Sequence, residues 1–360
     1  MSLALTPEQE DLVAALRGFL DAEVESRRTR KVMETRDGVD LELWRRMNTE
    51  LGLGGALVAE EHGGTGLGLP ELALIMECAG RAPVGVPLLS TTLAAIALST
   101  VADPGPAAEP LRTLASGTSI TAPALSADDV RAEATKTGWA LHGTAEFVLD
   151  GHVADLLLVA ARTPDGNVLF AVDPATPGVT RRRLGMIDLT RPMSTVVFDA
   201  AEARALCAPD AQPRIARLLD VAAIALAAEQ VGGAARCLEL SVAHARTREQ
   251  FGRPIGSFQA IKHMCADMLR TIEPARSAVY FAARAAADDS PEAPMLASLV
   301  KAHCSEVYAD AASATVQIHG GLGYSWEHDA HLHFKRAKTG ELLFGDPARH
   351  RARLADLAGL

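Results

Sequence analysis

An α+β chain in three blocks is predicted: an N-terminal helical domain at 1–115, a middle β-sandwich or barrel domain at 116–212, and a C-terminal four-helix bundle at 213–360. Two changes of texture carry this division. Before about Ser119 and after about Pro213 the apolar residues recur at helical spacing. Between Ser119 and Val197, short runs such as "ADLLLVAART", "NVLFAVDP" and "MSTVVFDA" are separated by Gly, Pro and Asp turns. Length agrees, because 360 residues exceed what a single core serves, and 48% apolar residues at a mean hydropathy of +0.11 are ample for burial.

In the first block "TPEQEDLVAALRGFLDAEV" opens with a Thr cap and Pro at the first helical position. Further helices fit "DLELWRRMNTEL" and "PELALIMECAGRA", with the glycine-rich loop "VAEEHGGTGLGLP" between them. The last block reads as four helical segments, 213–246, 257–286, 292–319 and 327–357.

Charge and composition exclude several classes. Net charge is −10 with the basic residues scattered, which argues against a nucleic-acid surface, since phosphate backbones are met by clustered Lys and Arg. No membrane span is bounded in the pattern, and the N-terminus carries acidic residues where a signal peptide is basic, so a cytoplasmic location is expected. The five cysteines, Cys78, Cys207, Cys237, Cys265 and Cys304, lack paired spacing and are expected as buried thiols. His328, His331 and His333 are interleaved with Glu327 and Asp329 without helical ligand spacing, so no metal site is expected. Glu229 and His319 are expected to pack or hydrogen-bond.

Two segments carry chemistry. "RTREQFGRPIGSFQAIKH", 246–263, interrupts long alanine-rich helices with cations, amides, an aromatic and a Gly-Arg-Pro-Ile-Gly break. It could be a helix–helix corner. "VQIHGGLGYSWEHDAHLHFKRAK", 316–338, places Gln317 one turn before Gly320 and Gly321, which presents an amide beside uncovered backbone N–H groups.

Together these segments resemble the acyl-CoA dehydrogenase family. "RTREQFGRPIGSFQ" is similar to its Arg-x-x-Phe-Gly … Phe-Gln signature, "QIHGGLGY" to its Gln-x-x-Gly-Gly-x-Gly-Tyr, and "AEEHGG" stands in place of its Pro-Glu-Glu-Tyr-Gly-Gly. The resemblance implies the family's helix–strand–helix fold, FAD as cofactor, an acyl-CoA substrate, and an electron-transferring flavoprotein as acceptor. On that pattern Arg248 pairs with the FAD pyrophosphate and Phe251 packs on the cofactor. Gln250, Ile255, Phe258 and Gln259 line the adenosine end, and Gln317, Gly320 and Gly321 hold the neighbouring diphosphate region. In the family these residues reach the FAD of an adjacent subunit.

The family's catalytic base is a different matter. Its usual Glu, in a Tyr-Glu-Gly-Thr setting, aligns with Phe344 of "GELLFGDPARHR". The alternative position used by a minority of members, 26 residues before the clamp arginine, is Ala222. The flavin-facing strands are altered too: "ITAPALSADD", 120–129, replaces Thr-Glu-Pro … Gly-Ser-Asp, and "FVLD" replaces Trp-Ile-Thr-Asn, so a hydroxyl becomes Leu149. This pattern resembles one half of a heterotetrameric dehydrogenase whose second, similar subunit is catalytic, and it hints at a bulky substrate such as a steroid side-chain thioester. Asp346 or Glu341 as a displaced base would instead make a self-sufficient homotetramer. A silent assembly or regulatory subunit would keep the fold alone.

Overall fold

Thr6 opens the first helix, α1 (Pro7–Glu23), with a reciprocal cap: its hydroxyl accepts from the Gln9 amide while the Gln9 side chain accepts from the Thr6 amide. The structure is a computed structural model that describes residues 4–125, 129–136 and 138–360. Of the altered segment 120–129, residues 126–128 lie outside the described residues. Helices α2 (Ser26–Met33), α3 (Leu41–Leu51), α4 (Leu69–Gly80), α5 (Leu88–Thr100) and α6 (Pro104–Ala115) precede the strands. The chain packs as two units. One holds the residues up to Arg30, Leu69–Pro83 and Asp220–Leu360, and the other holds Lys31–Gly68 and Val84–Leu219. These units follow packing, and so they divide the early helices differently from the three blocks of sequence texture.

The second unit is built on β1 (Thr121–Ala124), β2 (Val130–Ala134), β3 (Trp139–Leu149), β4 (Leu156–Thr163), β5 (Gly166–Val172), β6 (Val179–Arg183) and β7 (Met193–Ala205). Strand β4 pairs with both β2 and β5, and β2, β3, β7 and β5 complete a closed ring, with β1 added on β4 and β6 on β7. Closure leaves few open edges and gathers an apolar centre from Leu141, Leu157, Val159, Phe170 and Val196, all fully buried. Helix α5 has no polar face, since every residue from Leu88 to Leu98 is buried, and it packs on β1. The β3–β7 register shifts between Ala145 and Val148, where Phe147 takes φ 56°.

The first unit is organised around α7 (Gln212–Thr247), whose 36 residues include a window apolar enough to cross a membrane yet 89% buried inside the protein. It is followed by the short strands β8 (Glu249–Gln250) and β9 (Arg253–Pro254), then α8 (Gln259–Ala287), α9 (Ala293–His319), α10 (Gly321–Tyr324), α11 (Ala330–Leu342) and α12 (Pro347–Ala358). Helix α4 crosses α7 at backbone contact. A Cβ on Gly80 would lie 1.9 Å from the Glu229 carbonyl oxygen, and one on Gly232 would lie 1.9 Å from that of Glu77. The two carboxylates at this crossing reach outward. Glu77 is buried and accepts from Arg276 Nε at 2.9 Å and from the Tyr280 hydroxyl at 2.6 Å, which ties in α8. Glu229, also buried, accepts from Arg336 Nε at 2.9 Å, which ties in α11.

One expectation is corrected. Segment 327–357 is not a single helix, because Phe344 at φ 60° and Gly345 at φ 105° both leave the right-handed region, and Asp346 then caps a new helix with Pro347 at its first position. The cysteines are all free; Cys265 on α8 is half-buried, whereas the other four are buried.

Gly232→Ala is expected to lower the unfolding free energy by at least about 1–3 kcal/mol, because the added methyl meets backbone that cannot rotate away. Gly18, inside α1 with open space around it, gives the contrast: Gly18→Ala should raise stability by about 0.5–1 kcal/mol. Urea unfolding midpoints moving in opposite directions would verify both.

Candidate functional site

Helix α7 ends in a two-residue hairpin. Gln250 pairs with Arg253 and Glu249 with Pro254, which leaves Phe251 at φ 54° and Gly252 at φ 75° as the turn. Positive φ at both central positions matches the right-handed twist of a short ribbon, and Gly252 supplies it without strain. Phe251 does not, and a bulky residue held there costs on the order of 1–3 kcal/mol. The hairpin holds this residue with its own side chains: the Arg253 guanidinium lies 4.2 Å above the Phe258 ring, and Phe251 meets that ring edge-on at 6.0 Å. The Ile255 amide closes the base by donating to the Arg248 carbonyl at 2.8 Å.

Phe251 is 91% exposed, a degree of aromatic exposure that points to contact with something outside this chain. Arg248, Gln250 and Gln259 are exposed, and Ile255 and Phe258 are half-buried. Among the described residues the Gln250 side-chain amide donates to the neighbouring Glu249 carbonyl alone, and Arg248 makes no ion pair.

The second motif ends α9. Gly320 takes φ 60° and ψ −136°, a region that only glycine adopts at low cost, and its N–H donates to the Val316 and Gln317 carbonyls. A Cβ on Gly320 or Gly321 would meet no atom within 4 Å, so this backbone faces open space. Gly323 instead folds back on α9, with its Cβ position 2.8 Å from the Val316 carbonyl oxygen. Gln317 is exposed beside the turn.

These two segments, distant in sequence, come together through histidine. The His244 ring in the last turn of α7 stacks on His319 at the end of α9, with centroids 4.2 Å apart. An exposed guanidinium without an ion pair, near open glycine backbone, suits a phosphate ester, because charge-assisted donors and uncovered amides both favour anionic oxygen. The donor set fits the diphosphate of FAD.

The turn at Phe344 is tied down from two sides, by α9 and by α12. Lys301 is fully buried in α9 and donates to the Ser305 hydroxyl at 3.0 Å, the Glu341 carbonyl at 3.1 Å and the Gly345 carbonyl at 2.9 Å. Burial pushes its ammonium down to about 8. His350 Nε2 sits 3.1 Å from the Phe344 carbonyl. The flanking carboxylates have local tasks: Glu341 pairs with Lys338 at 2.8 Å, and Asp346 accepts from the Arg349 amide at 2.7 Å as the cap of α12. Ala222 is fully buried within α7. In the barrel unit Leu149 is buried, Phe147 is 59% exposed, and buried Asp150 accepts from the Ser90 hydroxyl at 2.6 Å.

Sequence reasoning passed over His244 and Lys301. Lys301 had a visible signal, because it falls in the apolar stripe of α9 between Ala297 and Cys304. His244 lay one turn before Arg248 with nothing to mark it.

Comparisons with known proteins identify the family and the fold. The family model for the acyl-CoA dehydrogenase C-terminal domain matches residues 213–358, and that for the N-terminal domain matches 6–118. Acyl-CoA dehydrogenase IpdE2 of Mycolicibacterium smegmatis is 35% identical over 350 residues, 97% of this chain and 98% of its own. The crystal structure of the ChsE4–ChsE5 complex from Mycobacterium tuberculosis matches with TM-score 0.92 at 29% identity, covering 100% of this chain and 99% of that one. The Tcur3481–Tcur3483 steroid ACAD matches with TM-score 0.90 at 31% identity over 98% of each chain.

Lys301 makes a pH-dependent contribution of defined sign. Its folded value of about 8 lies below the ordinary 10.5, so the unfolded chain binds more protons between them and stability contributed by Lys301 rises with pH across that window. Unfolding free energies of wild type and Lys301→Met, measured from pH 8 to 10.5, should diverge in this sense, with the rise confined to wild type.

Proposed function

Because the chain belongs to the acyl-CoA dehydrogenase family, we propose that it serves as one subunit of a heteromeric, FAD-dependent enzyme that desaturates an acyl-CoA thioester between its α and β carbons. The observation that carries this is Phe344: an aromatic ring stands where the family has its base, and the carboxylates on either side are engaged elsewhere. A thioester α-proton is only weakly acidic, so a carboxylate has to lie within hydrogen-bond reach of it. Proton removal therefore falls to a second, similar subunit. The ChsE4–ChsE5 complex supports a partnership of this kind, and the steroid ACAD supports a bulky steroid side-chain thioester as substrate.

Family members bind FAD, which supplies the hydride acceptor when bound. This chain contributes its grip. Arg248 offers a charge-assisted contact to the diphosphate, worth roughly 1.5–3 kcal/mol, and the open Gly320 and Gly321 backbone lets the phosphates approach. Phe251, held outward by the hairpin, packs on the cofactor, while Gln250, Ile255, Phe258 and Gln259 line its adenosine end and Gln317 its diphosphate. In the barrel unit, Leu149 removes the hydroxyl that the family directs at the flavin ring. An electron-transferring flavoprotein, the acceptor that the family resemblance implies, reoxidises the assembled enzyme.

Turnover with an artificial electron acceptor tests the reading. The isolated chain is expected to be slower than the chain co-expressed with its partner by at least about 10²–10⁴, the usual cost of a missing base. Phe344→Glu should leave the isolated chain inactive, since a carboxylate acts only beside a correctly held substrate and cofactor. Turnover restored by that one substitution would mean the chain is self-sufficient.

Arg248→Ala should lower flavin content in the purified complex while leaving thermal unfolding within about 0.5 kcal/mol of wild type, because an exposed cation adds little to the core. Absorbance of bound flavin per mole of complex measures the first, and a melting curve the second.

A further inference from the structure

The stacking that joins the two motifs continues past His319. The His328 ring lies 4.1 Å from that of His319, tilted by 38°, so three imidazoles form a column from the end of α7, across the end of α9, to the loop before α11. One hydrogen bond requires the His328 ring to be neutral, and another fixes the tautomer of His319. His319 Nδ1 lies 2.8 Å from the Thr315 carbonyl and so carries the proton. His328 Nδ1 accepts from the Ala330 amide at 3.1 Å, which it can do only while that nitrogen is unprotonated. The loop carrying His328 is itself pinned: Arg30 donates to the Trp326 carbonyl at 2.6 Å and, with Ser26, to the Asp329 carboxylate.

We propose that His244, His319 and His328 are positioning residues for the cofactor clamp: the neutral column locks the Arg248 hairpin to the diglycine turn, and adding a proton releases it. The proposal rests on the clamp reading of Arg248.

The charged neighbours differ between the two ends of the column. Arg248 lies at the His244 end and disfavours a proton there, whereas at the His328 end Asp329 favours a proton and outweighs Arg30, so burial and the neighbouring rings are what keep His328 neutral. Burial is the largest cause holding all three rings below the ordinary histidine value of 6.5; for His244 the His319 ring and Arg248 add to it, and for His328, which falls to about 4, His319 adds most. Because the folded values lie below the unfolded one, the column's stabilisation is complete above pH 6.5 and is lost as pH falls towards about 4. A proton on His328 also removes the acceptor of the Ala330 amide, and charges on adjacent rings repel each other across the stack. Acid therefore separates the α7 end from the diglycine turn.

Two readouts test this. In the flavin-free full chain, hydrogen-exchange protection of the Arg248 and Ile255 amides, which close the hairpin, should fall by about tenfold or more between roughly pH 7.5 and 5, after correction for intrinsic exchange. His319→Phe keeps an aromatic ring but cannot titrate, so protection should vary much less with pH. His319→Ala should give low protection throughout. Protection that is flat with pH in wild type overturns the column, whether or not either variant folds, as does a His319→Phe variant that follows the wild-type curve. In the flavin-loaded complex, FAD retained after ultrafiltration should fall over the same window. A hairpin that opens while FAD is retained overturns the positioning role. Arg248→Ala separates the two claims: loss of flavin there with no pH response at the hairpin would leave the clamp standing and remove the column.

Discussion

Helices α4 and α7 approach so closely that each presents a bare glycine to the other's backbone, Gly80 against Glu229 and Gly232 against Glu77. Side chains at those glycines would push the axes apart. With the axes together, Glu77 and Glu229 are carried into the interior beside the crossing, where a buried carboxylate needs a partner. Glu77 takes Arg276 and Tyr280 from α8, and Glu229 takes Arg336 from α11. One contact thus sets the place of four helices. The hairpin follows α7 and leads into α8, and the Phe344 turn follows α11, so both segments that bear on function hang from it.

Strained backbone recurs at those segments and in the barrel. Phe147, Phe251 and Phe344 all sit at positive φ, a conformation that bulky residues avoid. Phe147 and Phe344 lie where the chain departs from its family's pattern, and Phe251 lies in the hairpin proposed to meet the cofactor. Phe251 is held by Arg253 and Phe258, and Phe344 by contacts from Lys301 and His350 to the surrounding carbonyls. A fold that sustains unfavourable conformations at such positions has over-determined them with neighbouring contacts. That rigidity suits surfaces meant to meet a ligand or a second subunit, where pre-formed geometry lowers the ordering cost of binding.

The two ends of the site differ in chemistry. The hairpin and diglycine turn keep exposed donors, with Arg248 free of any ion pair among the described residues. The Phe344 turn has the reverse character: its carbonyls are satisfied by a buried lysine, its carboxylates cap or pair locally, and an apolar ring occupies the remaining position. That contrast, open donors at one end and a satisfied apolar turn at the other, is what the proposed supporting subunit requires.

Much of this was legible in the residues alone. Thr6, Pro7 and Gln9 announce α1, the apolar runs from Leu156 to Ala205 announce strands, and "RTREQFG" and "QIHGG" carry a family resemblance, because caps, period and glycine conformations are local properties. The absence of a carboxylate at 344 and 222 is equally a property of the string. What the string does not hold is which distant parts touch. The break in the last helical segment depends on Phe344 accepting a conformation that its side chain opposes, and only the surrounding contacts explain why it does. Ring closure of the barrel rests on pairing β4 with β2 and β5, strands on either side of it in the chain. The histidine column joins residues from three elements whose spacing in sequence carries no signal. Local preference fixes the elements; long-range packing, which sequence period does not encode, decides where their ends meet.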